Sequence, residues 1–455
     1  MVRLLHHSDI EAVYDDPERA AALAGFLQDR SGSDGLVVGS GDDTAPGVLA
    51  LVAKGRQALS FFEAAGTRFE TFGNHDFDFG PDRTRRLVAD GRPVWLSANA
   101  RDADGEPFGR DAGVRPWAIE RVDGEAVGFF GLTDPATDTL NPSARTLSFA
   151  DPIPAAETAI SELRGAGAEW IVALSHLGRG DDRLARWTNV DLILGGHVHS
   201  RRIERVDGTV VARPGVNGQA VLEAELTDDG VSVELLEPAA FDPEPVPAVL
   251  EGLREYARGA GLDGVVGRAE TPLCRTNETV YGGESRIGNF VTDAYRVAAD
   301  ADIGLQNSGG IRLGPPLSGE VTVADCISIV PFEEQLVTVS LSGAELGAVA
   351  GEMAGTTTGF GEEGWWHGHV SGARIVYDRG TDSLETLTAD GRPVADDRRY
   401  RVALPEYLLH TDEEFPTIGP RHRVTEHGIQ HELLVEHART GGLDVDIEGR
   451  LVLRE

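Results

Sequence analysis

The chain has 455 residues, room for about three domains of ~150 residues or two larger ones; with 41% hydrophobic, 25% charged and 6% aromatic side chains it is neither disordered nor fibrous. No apolar run approaches the roughly 18 residues that a membrane span requires. Asp and Glu number 75 against 41 Lys and Arg, a net charge of −34 with Lys54 the one lysine; acidity spread along the whole chain predicts adaptation to molar salt, and such a surface disfavours nucleic acid and membrane as partners.

The N-terminus reads as a first strand, without the apolar stretch or small-residue cleavage site of a secretory signal, and this predicts a cytoplasmic protein in a high-salt cytosol. A helix follows: Asp15 or Asp16 can cap it, Pro17 suits its first turn, and Ala20, Leu23, Ala24 and Leu27 recur on one face. Up to residue 235, short apolar runs such as Leu36-Val37-Val38, Val94-Trp95-Leu96, Val127-Gly128-Phe129-Phe130, Ile171-Val172-Ala173-Leu174 and Leu192-Ile193-Leu194 alternate with helical patterns, the grammar of an α/β domain. The proline-rich stretch Phe241-Asp242-Pro243-Glu244-Pro245-Val246-Pro247 and a helix over about 249–258 make residues 236–260 a linker and bridging helix. Residues 261–455 form a second α/β or α+β domain, opening with an amphipathic helix that carries Ile287, Phe290, Val291, Ala294 and Tyr295 and continuing into strands such as Leu336-Val337-Thr338-Val339. Cys274 and Cys326 have no metal-ligand spacing and are expected to be buried free thiols.

Metal-ligand side chains follow successive predicted strands: Asp9 and Glu11, then Asp42, then Asn74 with His75, then His176, then His197 and His199. Open α/β sheets place ligands at those strand ends. Carboxylates, imidazoles and an amide oxygen together suit Mn²⁺, Zn²⁺, Fe²⁺ or Co²⁺. Two ions about 3.5–4 Å apart need one bridging carboxylate, and Asp42, in Gly39-Ser40-Gly41-Asp42-Asp43, is the candidate. Singly, each of these residues is most simply a turn former or a core side chain; the conjunction of at least seven at strand ends carries the assignment. His6 and His7 read as ordinary strand residues, and Trp365-Trp366-His367-Gly368-His369 lacks neighbouring carboxylates for a third ion.

The order Asp9, Gly41-Asp42, Gly73-Asn74-His75-Asp76, His176, Gly196-His197-Val198-His199 resembles the binuclear metallophosphoesterases. More narrowly, Gly73-Asn74-His75-Asp76-Phe77-Asp78-Phe79-Gly80 resembles the version found in the 5′-nucleotidase family, which includes UDP-sugar hydrolases and cyclic-nucleotide phosphodiesterases. The resemblance implies an α/β fold with an N-terminal αββα metallophosphoesterase sandwich over 1–235 and a 5′-nucleotidase-type substrate-specificity domain over 261–455. It implies two divalent ions, one held by Asp9, Asp42 and His199, the other by Asp42, Asn74, His176 and His197. Glu11 stands where the family usually has His, and the harder donor set favours Mn²⁺ over Zn²⁺. His75, oriented by Asp78, is implied as the catalytic residue that stabilises the phosphate or protonates the leaving oxygen.

In the second half, Glu284-Ser285-Arg286-Ile287-Gly288-Asn289-Phe290, Asp293-Ala294 and Asn307-Ser308-Gly309-Gly310-Ile311-Arg312 resemble the C-terminal domain of the same family. By that resemblance Asn307, Gly310 and Arg312 contact substrate, glycine letting main-chain N–H groups approach an anion that a guanidinium grips. Phe332 and Tyr407 match the pair that sandwiches a nucleobase. Where the family has Asn-Gly-Gly-Asp-Gly-Phe, this chain has His410-Thr411-Asp412-Glu413-Glu414-Phe415, so Glu413 stands in for the usual Asp. Near Gly283 a phosphate-binding arginine is replaced, and Arg286 can supply the charge. The resemblance thus implies a phosphomonoesterase, a 5′-nucleotidase that binds a small phosphate ester between its domains and cleaves it with a two-metal-activated hydroxide. Its rivals are a cyclic-nucleotide or nucleotide-sugar phosphodiesterase on the same scaffold and a non-catalytic nucleotide-binding protein.

Overall fold

Parallel pairing of Val2–His7, Gly35–Gly39, Thr67–Thr71 and Val94–Leu96 begins the fold, and these strands are almost continuously buried, as parallel strands covered on both faces must be. Val221–Thr227 and Gly230–Leu236 extend the sheet antiparallel beyond Val2–His7, giving six strands. A second six-stranded sheet runs in the order Arg202–Val206, Thr209–Arg213, Leu192–Gly195, Trp170–His176, Glu125–Thr133, Trp117–Val122; its four inner strands are parallel. This computed structural model describes residues 1–355, 364–411 and 414–454, and it divides into two compact units, Met1–Ala260 and Gly261–Glu455.

Period-two alternation sorts the second sheet's side chains. Phe129, Val172, Leu174 and Leu194 face Val38, Phe69 and Leu96 of the first sheet in one core, with the Phe69 and Phe129 rings 4.9 Å apart. Phe130, Ile171, Ala173 and Ile193 face the other way, onto Ile153, Ala156, Leu163 and Leu184 of the helices Pro152–Gly165 and Asp181–Trp187. The helix Pro17–Ser31 lies against the first sheet, with Gln57–Ala65 and Pro247–Gly259 packed on it, which completes an αββα unit. Asp16 caps Pro17–Ser31 by accepting from Arg19 N at 3.1 Å. The helix of the 236–260 segment therefore packs within the first unit.

In the second unit, Gly368–Ser371, Ile303–Asn307, Arg399–Pro405, Gln335–Ser342 and Arg423–Ile429 form a mixed five-stranded sheet, and the apolar stripe of the helix Arg286–Ala298 is buried as its spacing predicts. A four-stranded sheet, Arg392–Pro393, Ser383–Ala389, Ala373–Asp378 and Leu451–Arg454, shares a core with it through Trp366, Tyr377, Val337 and Leu404. Cys326 is buried, but the expectation fails for Cys274, which is exposed: alternation along Val265–Arg275 turns Leu273 and Arg275 inward and Cys274 outward. Among the described residues no helix is long and apolar enough to cross a membrane.

Candidate metal centre and substrate-contacting residues

The C-terminal ends of strands from both sheets supply the first unit's site. Asp9 and Glu11 follow Val2–His7, Asp42 follows Gly35–Gly39, Asn74 and His75 follow Thr67–Thr71, His176 ends its strand, and His197 and His199 follow Leu192–Gly195. Asp9, Glu11, Asp42 and His197 all have left-handed backbone, with φ of 51°, 33°, 55° and 72°. Such conformations cost about 1–3 kcal/mol each and persist only where surroundings over-determine them. Here the turns lock one another: Asp9 N donates to Gly41 O at 3.0 Å, Glu11 N to Asp42 O at 3.3 Å, and His197 N to Asp9 Oδ1 at 3.1 Å. A side chain at Gly73 would put its Cβ 2.1 Å from Asp42 Oδ1, so the bare glycine is what lets these two turns touch.

The donor atoms of Asp42, His176 and His197 lie within 4.8 Å of one another, as do those of Asp9, Glu11 and His199, and those of Glu11, Asp42 and His75. His176 Nε2 is 3.0 Å from Asp42 Oδ2, and His199 Nε2 is 3.2 Å from Glu11 Oε1 and 3.7 Å from Asp9 Oδ1. Two features test whether cations fit here. The Asn74 side-chain oxygen is buried with no protein donor, which is costly unless something else satisfies it. The His176 Nδ1 sits 2.7 Å from the Ser40 carbonyl, which assigns its proton there; Nε2 then faces Asp42 as one acceptor toward another unless a proton or a cation lies between. The donor set fits two divalent ions sharing Asp42.

Burial drives the Asp9 carboxyl up to about 7, against the pull of His176 and His199. Burial also opposes ionisation of Asp42, but the imidazoles of His176, His75 and His197 hold it well below the usual carboxylate range. Burial and the neighbouring His176 lower His197 to about 3, while His176 itself is raised, Asp42 outweighing its burial.

His75 Nδ1 lies 3.1 Å from Asp78, and the His75 main-chain N–H donates to Asp42 Oδ1 at 2.7 Å. Two residues that the sequence left unremarked, Asp134 and Asn141, stand beside the site, and Asp76, quoted there only as part of a motif, holds its turns. Asp134 follows Glu125–Thr133 with a carboxylate oxygen 3.6 Å from His197 Nε2; its place at a strand end was the available signal. Asn141 donates to the Asn74 carbonyl at 2.7 Å and to Asp78 Oδ1 at 2.8 Å. Asp76 accepts from the main-chain N–H groups of Asp42, Gly73 and Thr44 at 2.9, 2.8 and 3.1 Å.

In the second unit, Arg312 lies with its Cζ 5.2 Å over the Phe332 ring, and Asn307, buried, accepts from Gln306 Nε2 at 2.7 Å. Gly310 closes a short turn after Ile303–Asn307. Phe332 and Tyr407 are each half-buried, with Tyr407 packed on the unit's core. Arg286 Nε donates to the Val445 carbonyl at 2.9 Å, and its Nη2 is 3.6 Å from Asp446, so internal partners already hold this guanidinium. Glu413 lies outside the described residues; the neighbouring Glu414 is buried. Trp365 stacks on Tyr281 at 3.8 Å, and His369 is buried with Nε2 3.0 Å from the Val280 carbonyl.

The two-unit α/β fold matches that of a solved 5′-nucleotidase over its full length. Residues 265–419 match the family described as 5′-nucleotidase, C-terminal domain. A crystal structure of a 5′-nucleotidase precursor from Thermus thermophilus is similar over 100% of this chain and 99% of its own, with a TM-score of 0.84 and 25% identity. A 5′-nucleotidase of Diplobatis ommata is 24% identical over 434 residues, 84% of this chain and 74% of that protein. The trifunctional nucleotide phosphoesterase protein YfkN of Bacillus subtilis (strain 168) is 25% identical over 397 residues, 75% of this chain and 27% of that protein. The chain spans 27–60% of the length of the first curated relatives it matches.

Proposed function

We propose that the chain is a metal-dependent phosphomonoester hydrolase that releases phosphate from nucleoside monophosphates. The observation that carries this reading is the buried donor cluster shared through Asp42, with the Asn74 oxygen lacking a protein donor. Asp9, Glu11, Asp42 and His199 hold one divalent ion; Asp42, Asn74, His176 and His197 hold the other. Bound there, such ions supply Lewis acidity and the positive charge that phosphoryl transfer requires. The carboxylate at Glu11 favours Mn²⁺.

The chain's own residues do the rest. Asp78 holds His75 through Nδ1, which leaves Nε2 to donate to a phosphoryl or leaving-group oxygen. Arg312 grips phosphate oxygens, helped by Asn307 and the main chain at Gly310, and Arg286 contributes charge only if it leaves Val445. Phe332 and Tyr407 stack on the base, and Glu413 accepts from sugar hydroxyls. The acidic surface supports work in molar salt, and the cytosol is the compartment we propose.

Phosphate release in molar KCl with Mn²⁺ tests this, with AMP, UMP, UDP-glucose, 2′,3′-cyclic AMP and an aryl phosphate as substrates, each with and without chelator. Chelator-sensitive release from the monophosphates is expected. Release from the aryl phosphate alone discards the nucleoside assignment, and chromatographic detection of UMP with glucose 1-phosphate from UDP-glucose, or of an adenosine monophosphate from the cyclic nucleotide, without phosphate release from AMP or UMP replaces the monoesterase by a diesterase.

A further inference from the structure

Behind the donor cluster lies a buried network that the reaction does not use. Ile10, between the ligand positions Asp9 and Glu11, donates its main-chain N–H to Asp43 Oδ1 at 3.0 Å. The other Asp43 oxygen lies 2.8 Å from His7 Nδ1, and His7 Nε2 lies 3.1 Å from Thr67 Oγ1 on the next strand but one. With Asp43 accepting at Nδ1, Nε2 accepts from the Thr67 hydroxyl. Tyr14 Oη donates to the Asp43 carbonyl at 2.8 Å, and His7 packs beside Phe61 and Phe62. His7, Asp43, Thr67 and Tyr14 are all at most 1% exposed.

His7, Asp43 and Glu70 have donor atoms close enough to suggest a further ion. Glu70 Oε2 is buried without a partner, but Glu70 Oε1 accepts from Gly41 N and Thr71 N at 3.1 and 3.0 Å, and both ring nitrogens of His7 are already engaged, so the imidazole has no donor atom left for an ion. The cluster is a brace instead. Asp9 and Glu11 both sit at positive φ, and Ile10 is the residue between them. A side-chain acceptor fixed from behind by an imidazole and a hydroxyl is what can hold such a turn in one conformation.

We infer that Asp43 and His7 are positioning residues for one half of the metal centre: they set the geometry of Asp9, Glu11 and His199 directly, and reach the Asn74, His176 and His197 half only through the His197 N–H bond to Asp9. Asp76, bound to the main-chain N–H groups of Asp42 and Gly73, braces the shared carboxylate instead and bears on both ions. Outer partners of this kind typically change metal affinity 10–100-fold. The inference rests on the two-ion reading above.

The experiment is calorimetric titration of Mn²⁺ into the chelator-dialysed full chain in molar KCl, for the wild type, Asp43→Asn, His7→Gln, Asp76→Asn, His199→Ala and the double variant Asp43→Asn/His199→Ala. Circular dichroism checks that each is folded, and His7→Gln stands in if Asp43→Asn is not. The wild type is expected to take two ions. Asp43→Asn and His7→Gln are expected to weaken one about 10–100-fold, and Asp76→Asn both. The double variant should hold its remaining ion within about 2-fold of His199→Ala alone, since contributions through one group do not add. A wild type that binds fewer than two ions overturns the two-ion reading. Two ions in the wild type, with Asp43→Asn and His7→Gln weakening neither or both, or with the double variant losing its remaining ion, overturns the brace.

Discussion

One carboxylate of Asp42 faces two ways: Oδ1 accepts from the main-chain N–H of His75 at 2.7 Å, and Oδ2 meets His176 Nε2 at 3.0 Å. The side chain proposed to be shared by both ions therefore also fixes where the His75 main chain stands. On the proposed reading, metal uptake and the placing of the His75 imidazole are coupled through it.

Asn141 separates the two. Its amide ties the Asn74 carbonyl to Asp78, which orients His75. Asn141→Ala is expected to lower kcat about 10-fold, to leave two Mn²⁺ ions bound, and to cost about 1–3 kcal/mol through the unpaired carbonyl. Steady-state kinetics beside metal analysis of the purified variant check it; an ion lost with the activity contradicts the assignment.

Gly73→Ala tests how closely the turns must approach. The added Cβ falls 2.1 Å from Asp42 Oδ1 and 2.6 Å from Asp42 N. Displacing that turn is expected to cost about 1–3 kcal/mol or more and to abolish binding of the second ion, read by chemical denaturation and by Mn²⁺ titration.

Metal uptake competes with protons. Burial holds the Asp9 carboxyl near about 7, so below that pH binding an ion must expel a proton, and affinity is expected to rise between pH 6 and pH 8. Titrations in buffers of different ionisation enthalpy measure the protons released. Ion at 100 times its Kd raises stability by about 2.7 kcal/mol, seen as a higher Tm that chelator reverses; a pH-independent affinity contradicts the prediction.

His369 gives the second unit its own pH response. Burial lowers its pKa to about 4 from an ordinary ~6.5, opposed by the bond to the Val280 carbonyl. Between those values the unfolded chain binds the proton and the folded chain does not. Its contribution is therefore complete above about pH 6.5 and lost as pH falls to about 4, by up to about 3 kcal/mol. His369→Gln is expected to flatten that part of the stability profile relative to wild type, measured by urea denaturation across the range.

The candidate metal-ligand residues stood out because each sits where a strand ends, and the strands were legible as apolar runs. Asp134 obeys the same rule, and only its contact with His197 distinguishes it from an ordinary turn aspartate. Asn141 lies 67 residues from Asn74, and no local pattern announces a hydrogen bond over that distance. His7 is harder still: in the sequence it is one residue of an apolar strand, and its role depends on Asp43 arriving from a turn and Thr67 from another strand. Cys274 shows the converse, since its exposure follows from a strand phase that its apolar neighbours conceal.

Local chemistry determined the element types, the two-part organisation and the candidate ligand positions, because hydrophobic period, caps and turn residues act over a few residues. Tertiary structure alone decided which guanidinium is already occupied and which buried side chains hold the turns that carry those candidates. Those properties are distances between residues remote in sequence, set by how two sheets pack and how strained turns lock against each other, and no short-range pattern encodes them.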